Sequence, residues 1–173
     1  MLNEGFLFII FCFAMKKIDV NERTEKARAL FLSGYNCTQA VFVAYCDVFD
    51  MKSEFAAKIC APFGGGMGRL REVCGAVSGM FFIAGQIEPA HDISDRTAKK
   101  RNYALVQELA EQFRKEHGSI VCRELLDLSC GKDDPDPSER TPAYYKKRPC
   151  VKYIASAARI VGNRMTISGD GQT

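Results

Sequence analysis

The chain has 173 residues, of which 47% are hydrophobic and 26% are charged, as in ordinary globular proteins. This length predicts a single domain that can bury a sizeable core. The net charge of +3 is too small and too evenly spread to indicate a nucleic-acid-binding protein. The unusual feature is the number of cysteines, eight in all, which points to redox chemistry, metal binding or disulfide bonds.

An apolar run near the N-terminus, residues 5–14, precedes the sequence Met15-Lys16-Lys17. About ten apolar residues are too few to span a bilayer, which takes about 20, and no basic segment or small-residue cleavage site marks a signal peptide. We interpret residues 1–14 as an extension upstream of the native start, with a membrane tether as the alternative. We therefore expect no membrane span and a cytoplasmic location, where cysteines bind metals or carry out redox reactions more often than they form structural disulfides.

Helical periodicity and capping residues predict an all-α fold, a single-domain bundle of about seven helices. The predicted helices cover residues 21–33, 36–50, 53–61, 69–86, 94–117, 119–128 and 149–162. We expect a loop at 129–142, with Tyr144 and Tyr145 on the solvated surface beyond it. The helical four-cysteine domain would then comprise residues 15–163, followed by a polar tail at 164–173.

Residues 63–86 form the predicted centre of this bundle, a glycine-rich turn followed by a helix. The helix is apolar or small on nearly all faces, which is typical of a fully buried helix. Glycine inside a helix costs about 0.5–1 kcal/mol relative to alanine, so Gly75 and Gly79, one turn apart, predict the close approach of a neighbouring helix or a bound group. If a group binds there, the candidate glycines are Gly64, Gly65, Gly66, Gly68, Gly75 and Gly79. The turn lacks the patterns of nucleotide-binding loops, which favours close packing.

Four of the cysteines fall in or near the first turns of predicted helices, several of them close to basic side chains: Cys37, Cys74, Cys122 and Cys150. Free N–H groups and the positive end of the helix dipole favour an anion at such positions. This setting can lower the pKa of a thiol from about 8.5 to roughly 3.5–7.5. We therefore expect these cysteines to be largely thiolates at neutral pH, the form that attacks disulfides and binds metals.

The other four cysteines do not share this setting. Cys46 lies on the opposite face of its predicted helix from Cys37, and Cys60 continues an apolar stripe, as a small core residue does. Cys12 belongs to the N-terminal extension, and Cys130 opens a loop. We leave these four out of the predicted site.

Sequence motifs around the first set of cysteines occur in a characteristic order. They are GYNC at 34–37, FGGGMG at 63–68, CGAVSG at 74–79, CRELL at 122–126 and the single Cys150. In this order the chain resembles the C_GCAxxG_C_C family of redox-active proteins, which have four signature cysteines and a CGAxxG motif. The resemblance covers about residues 25–160 and implies that Cys37, Cys74, Cys122 and Cys150 form the signature set.

Two functions fit four such cysteines. In the first, two or more of them cycle between dithiol and disulfide or relay electrons, as in a thiol-dependent oxidoreductase. The chain contains no C-x-x-C motif, which argues against a thioredoxin-like site, and three disulfide pairings are possible. In the alternative, the same four thiolates are ligands of a metal ion or an iron–sulfur cluster, although their wide spacing is unlike that of zinc knuckles.

Both functions require the fold to bring these sulfur atoms into one electropositive pocket beside the central helix. We expect Cys74, at the start of that helix, to be indispensable for either function. The reaction would also need a redox partner, a protein or a small molecule, which no motif identifies.

Overall fold

The computed structural model describes residues 18–129 and 131–169, so Cys12, Cys130 and the predicted N-terminal extension lie outside the described residues. Within these ranges it has eight regular α-helices and no β-strand, which confirms the predicted all-α fold. A further helical turn, Gly64–Met67, contains two glycines with positive φ and is described below as the glycine turn. The helices are α1 (Val20–Leu32), α2 (Cys37–Tyr45), α3 (Ser53–Cys60), α4 (Gly75–Ile87), α5 (Arg96–His117), α6 (Cys122–Leu125), α7 (Pro142–Lys147) and α8 (Cys150–Gly169). Short 3-10 segments follow α2 and α3, at Cys46–Phe49 and Ala61–Phe63.

The core is formed by four helices, α1, α2, α4 and α8, with the long helix α5 packed against α4 and α8. Its largest fully buried side chains include Phe31, Phe42, Tyr45, Met80, Ile83, Phe113 and Ile154. The Tyr45 hydroxyl donates a 2.8 Å hydrogen bond to the Ala158 carbonyl oxygen and so links α2 to α8. In α4 every residue from Gly75 to Met80 is buried, and this helix holds the central position that its composition predicts.

Capping side chains fix the start of two helices that lead into the core. Asn36 forms a capping box at α2: its side chain accepts hydrogen bonds from the N–H groups of Thr38 and Gln39, and the Gln39 side chain accepts one from the N–H of Asn36. This cap is the one that the sequence predicts. At α1 the cap is Asp19 rather than Asn21, because the Asp19 carboxylate accepts from the first free N–H groups of the helix.

Two helix ends also differ from the prediction. Helix α2 ends at Tyr45 instead of near residue 50, since the chain tightens into the 3-10 segment and then reaches Asp50, whose φ of 52° is left-handed. Helix α8 continues to Gly169, past the predicted end at residue 162, so the predicted polar tail is helical as far as that residue.

The largest difference from the predicted helices is the start of the central helix, at Gly75 rather than at Arg69. Arg69 and Arg71 have φ values of 68° and 62°, which an α-helix does not allow. The local sequence is compatible with a helix here, but a contact with a distant segment overrides it.

That contact is a short antiparallel pairing between the residues before α4 and the residues before α6. The N–H of Cys74 donates to the carbonyl oxygen of Ile120 at 2.8 Å, and the N–H of Cys122 donates to that of Glu72 at 2.6 Å. The pairing places Cys74 and Cys122 on adjacent segments at the same end of the bundle.

Helices α2 and α4 lie unusually close together, because α4 presents glycines to α2. A Cβ atom on Gly79 would lie 2.7 Å from Val41 Cβ, and one on Gly75 would lie 2.9 Å from Thr38 Oγ1 and 3.0 Å from Cys37 Cβ. Carbon atoms in ordinary contact are about 3.5–4.0 Å apart. The predicted close approach of a neighbouring helix is confirmed, and it brings the N-termini of α2 and α4 together.

Candidate functional site

One cavity of about 270 Å³ is lined by all four cysteines of the predicted site. Three of them are the first residues of helices: Cys37 in α2, Cys122 in α6 and Cys150 in α8. Cys74 occupies the N-cap position of α4. The structure therefore brings together side chains from four segments that are far apart in the sequence.

The glycine turn before residue 69 forms part of the cavity wall. Of the six candidate glycines, Gly64, Gly65, Gly66 and Gly75 line the cavity, whereas Gly68 and Gly79 do not. Gly66 has a φ of 73°, and a Cβ atom there would lie 2.6 Å from the Cβ of Cys122. Glycine is therefore needed where the turn meets α6, which is a packing role.

Four arginines also line the cavity, and none of its lining residues within the described ranges is an aspartate, a glutamate, a lysine or a histidine. These arginines are Arg69, Arg71, Arg140 and Arg148. A cavity with walls of one charge focuses an electrostatic potential inside it. The site is therefore electropositive, as the sequence predicts.

Arg69 and Arg71 attach the loop before α7 to this cavity through Asp133. Arg71 is almost fully buried, and its Nε lies 3.1 Å from Asp133 Oδ2. Arg69 Nη2 is also 3.1 Å from this oxygen. The hydrogen bond from Arg71, together with the charges of both arginines, lowers the pKa of the Asp133 carboxyl. Arg71 Nη1 lies 3.9 Å from Cys122 Sγ, so this guanidinium connects the loop to the cysteines.

Arg140 and Arg148 lie against the ring of Tyr144, with their Cζ atoms 5.4 and 5.1 Å from its centroid. The Cζ atom of Arg140 is also 4.7 Å from the centroid of the Phe31 ring, and its guanidinium donates to the carbonyl oxygens of Phe31 and Tyr35. Such cation–π contacts fix a guanidinium in place without neutralising it. The predicted position of Tyr144 on the solvated surface is wrong, because this side chain is half-buried in the cavity wall.

Two further residues that line the cavity were not predicted from the sequence. Arg140 lies in an irregular segment, where no periodicity or motif identifies it. Tyr153 follows Cys150 by three residues in α8, a spacing that places two side chains on the same face of a helix, and this signal could have identified it. Its hydroxyl donates a 2.8 Å hydrogen bond to the carbonyl oxygen of Leu125.

The thiols of Cys37 and Cys150 interact, and this interaction shifts their pKa values in opposite directions. Hydrogen bonding from Cys37 lowers the pKa of Cys150 to about 7, and the charges of Arg148, Arg140 and Arg71 act in the same direction against the effect of burial. The same hydrogen bond and burial raise the pKa of Cys37. The two thiols therefore titrate as a pair, in which the thiolate is favoured at Cys150 and the proton at Cys37.

The other two cavity cysteines have raised thiol pKa values. Burial raises the pKa of Cys74 to about 12, and the backbone N–H groups at the start of α4 offset only part of this effect. Burial also raises the pKa of Cys122, although Arg71 opposes it. The predicted lowering of the thiol pKa is thus right for Cys150 and wrong for Cys37, Cys74 and Cys122. Helix N-termini stabilise an anion, but burial outweighs this effect at Cys74 and Cys122, and the hydrogen bond with Cys150 together with burial outweighs it at Cys37.

The remaining described cysteines, Cys46 and Cys60, are buried in the core outside this cavity. All six cysteines in the described part of the chain are free thiols. Nowhere in residues 18–129 and 131–169 are three or more histidine, cysteine, aspartate or glutamate side chains grouped so that they could hold a metal ion. The four sulfur atoms share a cavity, but they do not form a coordination shell in this arrangement.

Fold and site together define an all-α protein in which four helix-terminal cysteines share one arginine-lined cavity. The chain belongs to the C_GCAxxG_C_C family, whose model, described as "Putative redox-active protein (C_GCAxxG_C_C)", matches residues 35–164. No match was found among curated proteins or among solved structures. In the part of the chain that the structure describes, no helix has the length and apolar character needed to cross a membrane.

Proposed function

We propose that the protein is a thiol-dependent redox protein in which Cys37 and Cys150 cycle between a dithiol and a disulfide. The observation that carries this proposal is that both thiols line one electropositive cavity, at the N-termini of α2 and α8, and that each shifts the pKa of the other. Cys150 has the character of a nucleophile, because its pKa of about 7 lies near the ambient pH, where an attacking thiol is most effective.

The reduced protein would donate two electrons to a disulfide. The Cys150 thiolate attacks one sulfur atom of the substrate, forms a mixed disulfide and displaces the first thiolate. Cys37 then attacks the sulfur of Cys150, displaces the second thiolate and leaves a Cys37–Cys150 disulfide. Cys37 suits the second role, because it is adjacent to Cys150 and keeps its proton until Cys150 has reacted.

Cys74 and Cys122 take a secondary place in this proposal. Both line the cavity, but both are buried thiols whose pKa is raised. We expect them to stay reduced while Cys37 and Cys150 are oxidised. This differs from the sequence-based hypothesis that makes Cys74 indispensable.

The competing hypothesis is a metal ion or an iron–sulfur cluster bound by the same four thiolates. It has less support, because the described side chains do not group into a set of three or more ligands. A count of thiols and metal distinguishes the two hypotheses.

We propose that the protein works in the reducing cytoplasm, where a dithiol is stable and a second reductant can regenerate it. That reductant would be a partner protein or a small molecule. Nucleic acid is not expected as a partner, because the net charge is only +3 and the arginines of the site face a cavity.

The test is a count of free thiols and bound metal in protein purified without air. Treating the reduced protein with one equivalent of a mild disulfide oxidant should remove two thiols, reversibly, with no stoichiometric metal present. The variants C37S and C150S should lose the intramolecular disulfide, whereas C60A, which changes a buried cysteine outside the cavity, should behave like the wild type. Iron or zinc near one equivalent per chain, or an unchanged reaction in C37S, would contradict the proposal.

A further inference from the structure

The charge of the cavity is the starting point for identifying its substrate. Four arginines line it, and no acidic residue does so within the described ranges. Its volume of about 270 Å³ is close to the lower end of small-molecule sites, which enclose about 300–1,000 Å³. These features fit a small anionic molecule better than a segment of protein chain.

Two of the four arginines keep their charge available for a ligand. Arg69 and Arg71 are paired with Asp133. Arg140 and Arg148 form no salt bridge with any described residue and are instead held over the Tyr144 ring. Each of these guanidinium groups keeps a full positive charge at the cavity, and a carboxylate accepts charge-assisted hydrogen bonds from such a group.

The position of these arginines also relates a bound anion to the reactive sulfur. Arg148 lies two residues before Cys150, and both side chains line the cavity with Arg140. We propose that the cavity takes a small organic disulfide bearing carboxylate groups, held by Arg140 and Arg148 with its S–S bond against Cys150. This inference rests on the dithiol function proposed above and adds the chemical class of the substrate.

The two thiols supply all the electrons and the proton that the reaction needs. Cys150 bonds to one substrate sulfur and the substrate S–S bond breaks, which releases the first carboxylated thiolate. Cys37 passes its proton to this thiolate, bonds to the sulfur of Cys150 and releases the second carboxylated thiolate. Two electrons have then moved from the Cys37–Cys150 pair, now a disulfide, to the substrate, which leaves as one thiol and one thiolate.

The test compares three disulfides that differ mainly in charge: 3,3′-dithiodipropionate, a dianion; bis(2-hydroxyethyl) disulfide, which is neutral; and cystamine, a dication. Rates of oxidation of the fully reduced protein are measured by quenching and thiol counting. Each rate is divided by the rate of the same disulfide with dithiothreitol, which corrects for intrinsic reactivity. We expect the normalised rate of the dianion to exceed that of the neutral disulfide by about tenfold at low salt, and the dication to react most slowly.

Variants separate binding of the anion from activation of the thiolate. R148Q also removes a charge that favours the Cys150 thiolate, so it slows all three disulfides, and the informative quantity is the ratio of dianion to neutral rate. We expect R148Q to lower this ratio by about threefold or more, and R148E to bring it to one or below. The control R96Q/K100Q removes two exposed charges on α5, outside the cavity, and should leave the ratio unchanged.

A measurement on the wild type alone guards against misfolded variants. Raising the salt concentration should reduce the preference for the dianion, since the attraction is electrostatic. Equal normalised rates for the three disulfides, or a ratio that R96Q/K100Q lowers as much as R148Q does, would overturn the inference. A protein that forms the Cys37–Cys150 disulfide with other oxidants but shows no preference for the dianion would overturn the substrate assignment and leave the dithiol function standing. If none of the oxidants produces the Cys37–Cys150 disulfide, the dithiol function itself fails.

Discussion

Cys150 differs from the other three cavity cysteines because hydrogen bonding and positive charge outweigh burial only at its sulfur. Its interaction with Cys37 and the charges of Arg148, Arg140 and Arg71 lower its pKa. All four cysteines sit at helix N-termini, yet this shared feature does not give them a shared pKa. The decisive groups at the scale of the residue are therefore the Cys37 thiol and the arginines.

Replacing Cys37 should raise the pKa of Cys150, because its thiol provides the largest single effect that stabilises the Cys150 thiolate. In the wild type we expect the rate of alkylation of Cys150 by iodoacetamide to reach half of its maximum near pH 7. In C37A this midpoint should move up by about one unit or more, whereas C37S keeps a hydroxyl donor and should move less. The labelled cysteine is identified by mass spectrometry of peptides. An unchanged midpoint in C37A would show that Cys37 does not activate Cys150.

The elements build the cavity through close helix packing. Helix α4 approaches α2 at Gly75 and Gly79, and this approach brings Cys37 and Cys74 to the same cavity. Gly85 lies further along α4, and a Cβ atom added to it would meet no neighbouring atom within 4 Å, so it offers a control in the same helix. Comparing alanine substitutions at Gly79 and Gly85 separates the effect of crowding against α2 from the general effect of glycine on the stability of a helix.

An alanine at residue 79 should lower the stability of the protein, whereas an alanine at residue 85 should not. G79A introduces a Cβ 2.7 Å from Val41 Cβ, and we expect it to lower the free energy of unfolding by about 1–3 kcal/mol, as overpacking does. G85A should leave stability unchanged or raise it by up to about 1 kcal/mol, because alanine favours a helix. Urea unfolding followed by circular dichroism measures both. A G79A protein as stable as G85A would mean that α2 and α4 are not in close contact.

The helices themselves could be predicted from local signals. The residue at which a helix begins could not always be predicted in this way. The capping box at Asn36 involves only residues 36–39, so the local sequence is enough to predict the start of α2 correctly. Arg69 and Arg71 instead adopt left-handed conformations, because the following residues pair with the segment before Cys122. A pairing between distant segments leaves no periodic pattern, so the true start of the central helix was not predictable.

The whole molecule is held together by contacts between distant segments, several of them at charged side chains. Arg23 of α1 donates to both carboxylate oxygens of Asp47 and to the Ala44 carbonyl oxygen, at 2.5, 2.8 and 2.8 Å. These bonds join α1 to the end of α2. The hydrogen bond from Arg23, with a further contribution from Lys26, lowers the pKa of Asp47 to about 2.

This ion pair predicts a defined dependence of stability on pH. The pKa of Asp47 in the folded protein is below the value of about 3.9 in an unfolded chain, so its stabilising effect is complete above about pH 4 and is lost as the pH falls through about 2. D47N should lower the free energy of unfolding at pH 7 by about 1 kcal/mol, a modest value because the carboxylate is partly exposed. The difference from the wild type should decrease steadily as the pH falls from about 4 to about 2, and D136N serves as the exposed control. A difference that stays constant over this range would contradict this role of Asp47.

At the scale of the molecule, the sequence predicted the four cysteines that line one cavity, but not how their pKa values differ. The order of the motifs around Cys37, Cys74, Cys122 and Cys150 was readable. The contribution of Arg140 was not, because it comes from an irregular segment that only the fold brings to the cavity. The interactions with Cys37 and with the arginines, which separate Cys150 from Cys74, are likewise a property of the assembled structure.

The most direct test of the central claim is an equilibrium redox titration in which disulfides are trapped and mapped by mass spectrometry. The protein is equilibrated in mixtures of reduced and oxidised dithiothreitol, quenched with acid and digested. We predict one two-electron transition in which the cross-linked peptide joins Cys37 to Cys150, while Cys46 and Cys60 stay reduced. A transition that leaves Cys150 as a free thiol, or a cross-link between other cysteines, would contradict the account.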